Sequence, residues 1–202
     1  MHNIYTSTAK WYDADNRAVV QADIPFYIDR AQQLGGNVLE LACGTGRITI
    51  PLAEAGIPVT GLDYSPHMLE VLHGKLQSKP QRTKEHVRTI QGDMTSFTFP
   101  EAYSLIFIPF RSFQLLENDE QALQCLNNIA CHLDDNGQFI LNVFRPDQGF
   151  TDTWVRLEEQ LDFESELANG EKVTRSSVKR ATPNAACCTR TLFTACISKM
   201  AP

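Results

Sequence analysis

Past Gly36 the chain alternates short apolar runs with longer amphipathic ones, a rhythm that restricts it to strands of a parallel sheet joined by crossover helices. Asn37 to Leu41 reads as a short buried strand. A glycine-bearing turn follows, and Arg47 to Ala55 then carries Ile48, Leu52 and Ala55 at helical spacing before Gly56 stops the helix. Pro58 to Leu62 is a second strand. Ser65 is placed as N-cap with Pro66 at the first helical position, and Met68, Leu69, Leu72 and Leu76 line one face. His86 to Ile90 is the third strand, and the continuous apolar run Tyr103 to Phe110 suits a fourth that is covered on both faces. Asn118 and Gln121 signal a capping box for a helix striped by Ala122, Leu126, Ile129 and Leu133. That helix is expected to end at Asn136-Gly137, before a fifth strand, Gln138 to Phe144. The order predicts an α/β fold with a doubly wound, mostly parallel sheet.

The flanks break the rhythm. Residues 1–35, with Tyr5, Trp11, Tyr12 and Tyr27, predict an N-terminal helical cap ahead of a core spanning 36–146. In the remaining 147–202, Leu161 to Leu167 alternates apolar and polar, Asn169-Gly170 signals a hairpin, and Val173 to Arg180 returns, which predicts an antiparallel hairpin insertion, a candidate lid. Formal charge is −6, which argues against broad binding to nucleic acid or an anionic membrane. The apolar runs fall short of the roughly 20 residues that cross a bilayer, so a soluble, cytoplasmic chain is expected. The six cysteines lack disulfide or metal-ligand spacing and read as reduced thiols, with no metal site.

In an open parallel sheet the ligand sits beyond the carboxyl ends of the strands, and the unusual residues fall there. After the first strand comes Glu40-Leu41-Ala42-Cys43-Gly44-Thr45-Gly46-Arg47, whose glycines permit a sharp turn and close approach of a ligand to the backbone. Asp63 follows the second strand, where an acid can accept hydrogen bonds from both hydroxyls of a ribose. Gly92-Asp93-Met94 follows the third, where a carboxylate can recognise an exocyclic amine while its apolar neighbour packs on a flat ring. Three loops in register describe a pocket for an adenosine-like group. A dinucleotide fits it poorly, because Thr49 stands where the fingerprint wants a third glycine and Glu40 would face a pyrophosphate. A ligand with a cationic group in that place fits better.

On these residues the sequence resembles the class I S-adenosylmethionine-dependent methyltransferases, in their small-molecule branch. The likeness runs from about Tyr12 to Phe144 and is strongest at Val38 to Arg47, Gly61-Leu62-Asp63-Tyr64-Ser65, Met68-Leu69 and Gln91-Gly92-Asp93-Met94, with the Leu133 to Phe139 step before the fifth strand. The resemblance implies a Rossmann-like core and S-adenosyl-L-methionine as cofactor. It implies that Glu40, the loop of Ala42, Cys43, Gly44 and Gly46, and Arg47 hold the methionine end, that Asp63 holds the ribose, and that Asp93 and Met94 hold the adenine. Tyr64 and Met68 would pack around the ring, and Tyr12 would fold over the cofactor. Pro109 would border the methyl group, with Arg111 and Phe113 toward a small-molecule acceptor. The sulfonium methyl needs mainly an aligned nucleophile and exclusion of water, and no general base is singled out.

The five histidines read as surface or helix-end residues, and Cys43 as a small packing residue. Arg111 is equally compatible with an anionic ligand group and with an acid of the protein. Members of the family usually follow the fifth strand with a helix and an antiparallel pair. Too few residues remain here, which predicts a truncated or divergent C-terminal part and an exposed sheet edge inviting a homodimer. Two other functions compete: a nicotinamide (NAD)-dependent oxidoreductase, which shares the glycine turn and the ribose acid, and a non-catalytic cofactor-binding protein.

Overall fold

Strand burial separates centre from edge in the main sheet. The computed structural model describes residues 5–15, 21–144, 156–167, 170–180, 190–191 and 194–198. The chain forms two compact units, one of residues 1–10 and 18–143, the other of 11–17 and 144–202.

In the first unit, β1 (Val38–Leu41), β2 (Val59–Asp63), β3 (Val87–Gln91), β4 (Tyr103–Ile108) and β5 (Leu133–Leu141) form a sheet of order β3-β2-β1-β4-β5. Every pairing is parallel. β1 and β2 are buried at every position, as helices on both faces require. Side chains alternate between two cores, following the period of two of a strand. Leu39, Leu41, Ile106 and Ile108 pack with Cys125 and Ile129 of α5 (Asp119–His132). Val38, Leu105 and Phe107 pack on the other face with Tyr27 and Ala31 of α1 (Ile24–Leu34) and with Leu52 of α2 (Thr49–Glu54). Each such large apolar side chain contributes about 1.5–3 kcal/mol on full burial. The same alternation sends Glu40 to the Val38 side. Strand order reverses between β1 and β4, so the crevice for a ligand lies at their carboxyl ends.

The predicted Ser65 cap is present at α3 (Pro66–Gln77): Ser65 Oγ accepts the Met68 N–H at 3.4 Å. Other boundaries differ. The second helix starts at Thr49 and not Arg47, because residues 44–48 form turns with Gly46 at φ +82°. The third strand runs one residue later than expected, after an unanticipated short helix, α4 (Gln81–Glu85), that follows Pro80. α5 stops at His132, not at Asn136-Gly137. Leu133 is already extended and pairs with Tyr103, after which pairing resumes at Gln138 with Leu105, so the intervening residues bulge. Gly137 fits that bulge because a Cβ there would lie 2.9 Å from the Tyr103 carbonyl oxygen. Buried His132 secures the junction: its Nε2 accepts the Phe99 N–H at 3.0 Å and its Nδ1 bonds the Asn128 carbonyl at 2.7 Å.

The second unit is an antiparallel sheet of β6 (Arg156–Glu166), β7 (Lys172–Arg180), β8 (Arg190–Thr191) and β9 (Thr194–Ser198), with β7 pairing all three others. The predicted hairpin is therefore present. Its loop is closed by the Leu167 N–H on the Glu171 carbonyl at 2.8 Å, with Gly170 at φ +79°; Asn169 lies outside the described residues. The two short strands β8 and β9 both extend this antiparallel sheet. Arg175 is its polar hub, bonding Asp162 through Nε at 3.3 Å and buried Asp15 through Nη1 at 3.2 Å while lying over the Phe163 ring. Asp15 follows the 3-10 turn Ala9–Ala14. Among the described residues no helix is long and apolar enough to cross a membrane.

Candidate functional site

The first two strand tips are tied together by hydrogen bonds. After β1 the chain turns sharply, with Ala42 at φ +60°, Gly44 at +56° and Gly46 at +82°. A Cβ on Gly44 would come within 3.3 Å of Met68 Cε, and one on Gly46 within 2.9 Å of Leu72, so α3 packs tightly under the turn. Cys43 donates its N–H to the Leu62 carbonyl at 3.1 Å. The Cys43 side chain fills the space that Gly61 leaves, where an added Cβ would meet Sγ at 2.8 Å. Burial pushes the thiol well above its ordinary pKa, which fits packing and not nucleophilic attack.

Asp63 ends β2 and joins all three tips. Its Oδ2 accepts the Gly44 N–H at 2.7 Å, its Oδ1 accepts the Ser65 N–H at 2.8 Å, and its carbonyl accepts the Gly92 N–H at 3.0 Å. The carboxylate is buried, which raises its pKa, and the two N–H donors oppose that rise. An ionised carboxylate has about four acceptor positions, so two remain in principle for ribose hydroxyls. In the third loop Asp93 Oδ1 accepts both the Thr95 N–H at 2.8 Å and its hydroxyl at 2.7 Å. Met94 is buried in the core cluster with Leu62 and Phe97.

Glu40 is 1% exposed on the α1 and α2 side, where the Thr49 hydroxyl donates to its Oε2. Burial pushes its pKa up to about 8; the Thr49 bond and Arg47 work against this, while Asp63 adds to it. Thr49, noted in the sequence only as a missing glycine, thus has a positive role as the partner of this acid. Arg47 forms an ion pair with Asp23, with Nη2 to Oδ2 at 3.0 Å, and lies 5.1 Å from the Phe110 ring centroid. Sequence reading missed Asp23.

Past β4, Pro109 is buried, and Phe110 and Arg111 take positive φ of 52° and 68°. Such backbone is costly for non-glycine residues and concentrates at ligand sites. Arg111 is exposed with its guanidinium 5.6 Å from the Phe110 centroid, whereas Phe113 is half-buried against the core. Tyr64 is exposed and Met68 buried at the head of α3. Tyr12 belongs to the second unit. A separate depression of about 150 Å³ lies by the opposite ends of the strands, lined by Asn37, Thr60, His86 and Arg88 among others. Among the described residues no group of His, Cys, Asp and Glu could hold a metal ion.

Residues 38–137, from β1 into β5, match the methyltransferase domain family. That match makes residues 38–137 a methyltransferase domain. The methyltransferase domain has a relative in the cypemycin N-terminal methyltransferase of a Streptomyces species, 32% identical over 112 residues, which cover 55% of this chain and 43% of that protein. The chain thus spans less than half of that relative. In fold it resembles the amino pentose methyltransferase CalS10 of Micromonospora echinaspora, solved with SAM bound (TM-score 0.65, 19% identity, 98% of this chain and 84% of that one). It also resembles the glycopeptide N-methyltransferase MtfA in complex with S-adenosylmethionine (TM-score 0.61, 22% identity, 87% and 75%). The methyltransferase domain gives the nicotinamide alternative no support.

Proposed function

We propose that the chain is an S-adenosylmethionine-dependent methyltransferase that methylates an amino group of a small-molecule acceptor. The observation that carries the reading is Asp63, which binds the Gly44 turn through its side chain and the Gly92 loop through its backbone. Three strand tips thereby converge where one nucleoside would lie.

The residues present fit that cofactor. Gly44 and Gly46 take the positive φ of a sharp turn whose backbone a ligand can approach, and Glu40, two residues before Ala42, is a buried carboxyl that a cationic ligand would hold ionised and a pyrophosphate would not. Ala42 to Gly46 and Arg47 would hold the methionine end, Asp63 the ribose, and Asp93 the adenine amine. Tyr64, Met68 and Met94 would supply apolar surface near the ring. Pro109 would border the reacting carbon, and Arg111 and Phe113 would meet the acceptor. The cofactor supplies an electrophilic methyl group on sulfur. This chain's part is to hold donor and acceptor in line and exclude water, an effect worth up to roughly 7–11 kcal/mol. The strained Phe110-Arg111 tip is where such alignment would be set.

An amino acceptor is favoured by the names of the three similar proteins above, an N-terminal methyltransferase, an amino pentose methyltransferase and a glycopeptide N-methyltransferase. Calorimetric titration with S-adenosylmethionine, S-adenosylhomocysteine and NAD tests the cofactor. Binding of the first two and not the third is expected, and the reverse would overturn the reading. A panel of small amines and phenols with labelled cofactor then tests the acceptor, where methylation of phenols alone would reject the amine.

A further inference from the structure

Asp23 occupies the N-cap position of α1, with φ −91° and ψ −11°, yet its side chain caps nothing. An N-cap aspartate ordinarily accepts the N–H of the second or third helical residue. The second residue is Pro25, which has no N–H, so the Phe26 amide is the donor such a cap would use. Asp23 instead gives both oxygens to the end of the Arg47 guanidinium, Oδ1 to Nη1 and Oδ2 to Nη2 at 3.0 Å. The pair is largely enclosed, with Arg47 and Asp23 side chains 13% and 27% exposed. Two parallel charge-assisted bonds of this kind match a carboxylate closely. Phe110 lies against the same guanidinium at 5.1 Å. A carboxylate of this chain therefore already fills the Arg47 fork at the end of the glycine turn.

We propose that Asp23 is an internal competitor for Arg47: a bound cofactor's α-carboxylate displaces it from the guanidinium, and Asp23 passes to the Phe26 amide to cap α1. The inference rests on the S-adenosylmethionine reading and adds a selectivity device to it. One ion pair breaks as another forms, so the carboxylate of the ligand contributes less affinity than an unopposed arginine would give. In the unliganded chain the competitor also shields Arg47 from unrelated carboxylates. Asp23 acts through Arg47 and is a positioning residue.

The test is calorimetric titration of the full chain and of its Asp23→Asn and Asp23→Ala variants. The probes are S-adenosylmethionine, S-adenosylhomocysteine and methylthioadenosine, the last lacking the amino acid part. Both variants are expected to bind the two carboxylate-bearing ligands tighter, by about tenfold in Asp23→Ala, with methylthioadenosine affinity unchanged. Unchanged or weaker binding of S-adenosylhomocysteine in both variants, with methylthioadenosine retained, would overturn the competition. An equal gain for methylthioadenosine would overturn it as well, since that would report a general loosening of the site. Wild-type chain that binds none of the three would instead reject the cofactor reading on which the exchange stands.

Discussion

Asp63 Oδ2 holds the Gly44 amide at 2.7 Å, so the acid that ends the second strand fixes the backbone of the turn that follows the first. Its partner oxygen holds Ser65 at the start of α3. One carboxylate thus shapes the pocket floor before any ligand arrives, and removing it has two effects at once.

Asp63→Ala is expected to weaken binding of S-adenosylhomocysteine by about 1–3 kcal/mol, through lost charge-assisted hydrogen bonds and a relaxed turn. Calorimetry measures the first effect, and urea unfolding a stability loss of similar order. Unchanged affinity would remove Asp63 from the site.

Gly46→Ala places a Cβ 2.9 Å from Leu72 at a φ of +82°. Strain and overpacking together are expected to cost about 1–3 kcal/mol. The denaturation midpoint in urea checks this. The same substitution at Gly74, where an added Cβ meets nothing within 4 Å, is the control and should be neutral or stabilising.

Glu40 sets a pH dependence. Its pKa in the folded chain is pushed up to about 8 from an ordinary 4.5, so between those values the folded state binds more protons than the unfolded one. Stability must then fall as pH rises through that window, with a slope on the order of 1 kcal/mol per pH unit from this group. Below the window both states are protonated, and above it the loss is complete. Glu40→Gln, which keeps an acceptor for Thr49, is expected to flatten the slope and to be the more stable protein at pH 8.5. Parallel pH profiles for the two proteins would show that Glu40 ionises normally.

Thiol labelling separates the described cysteines. Cys131 is exposed, whereas Cys43 and Cys125 are buried with raised pKa values. Mass spectrometry after brief iodoacetamide treatment of the native chain is expected to find Cys131 alkylated and the other two protected. Rapid labelling of Cys43 would mean that the glycine turn opens.

The central strands were legible because helices on both faces demand unbroken apolar runs, as in Leu105 to Ile108. The three strand-tip loops were legible because glycine and acid recur at strand ends. The start of β5 was not, since Asp134 to Gly137 has turn composition and only the Leu133 pairing with Tyr103 makes that stretch part of the sheet. α4 escaped because five residues are too few to display a stripe. Within the site, Asp23 lies 24 residues before Arg47 and on another element, a separation that no local pattern encodes. Thr49 was visible but misread, because its hydroxyl gains meaning only once Glu40 is known to face the α2 side of β1.

The Asp15–Arg175 ion pair also constrains the order of assembly. Its acid leaves the ribosome 160 residues ahead of its base, so the smaller unit cannot close until synthesis has passed Arg175. The larger unit, whose last strand ends at Leu141, can by contrast collapse while translation continues.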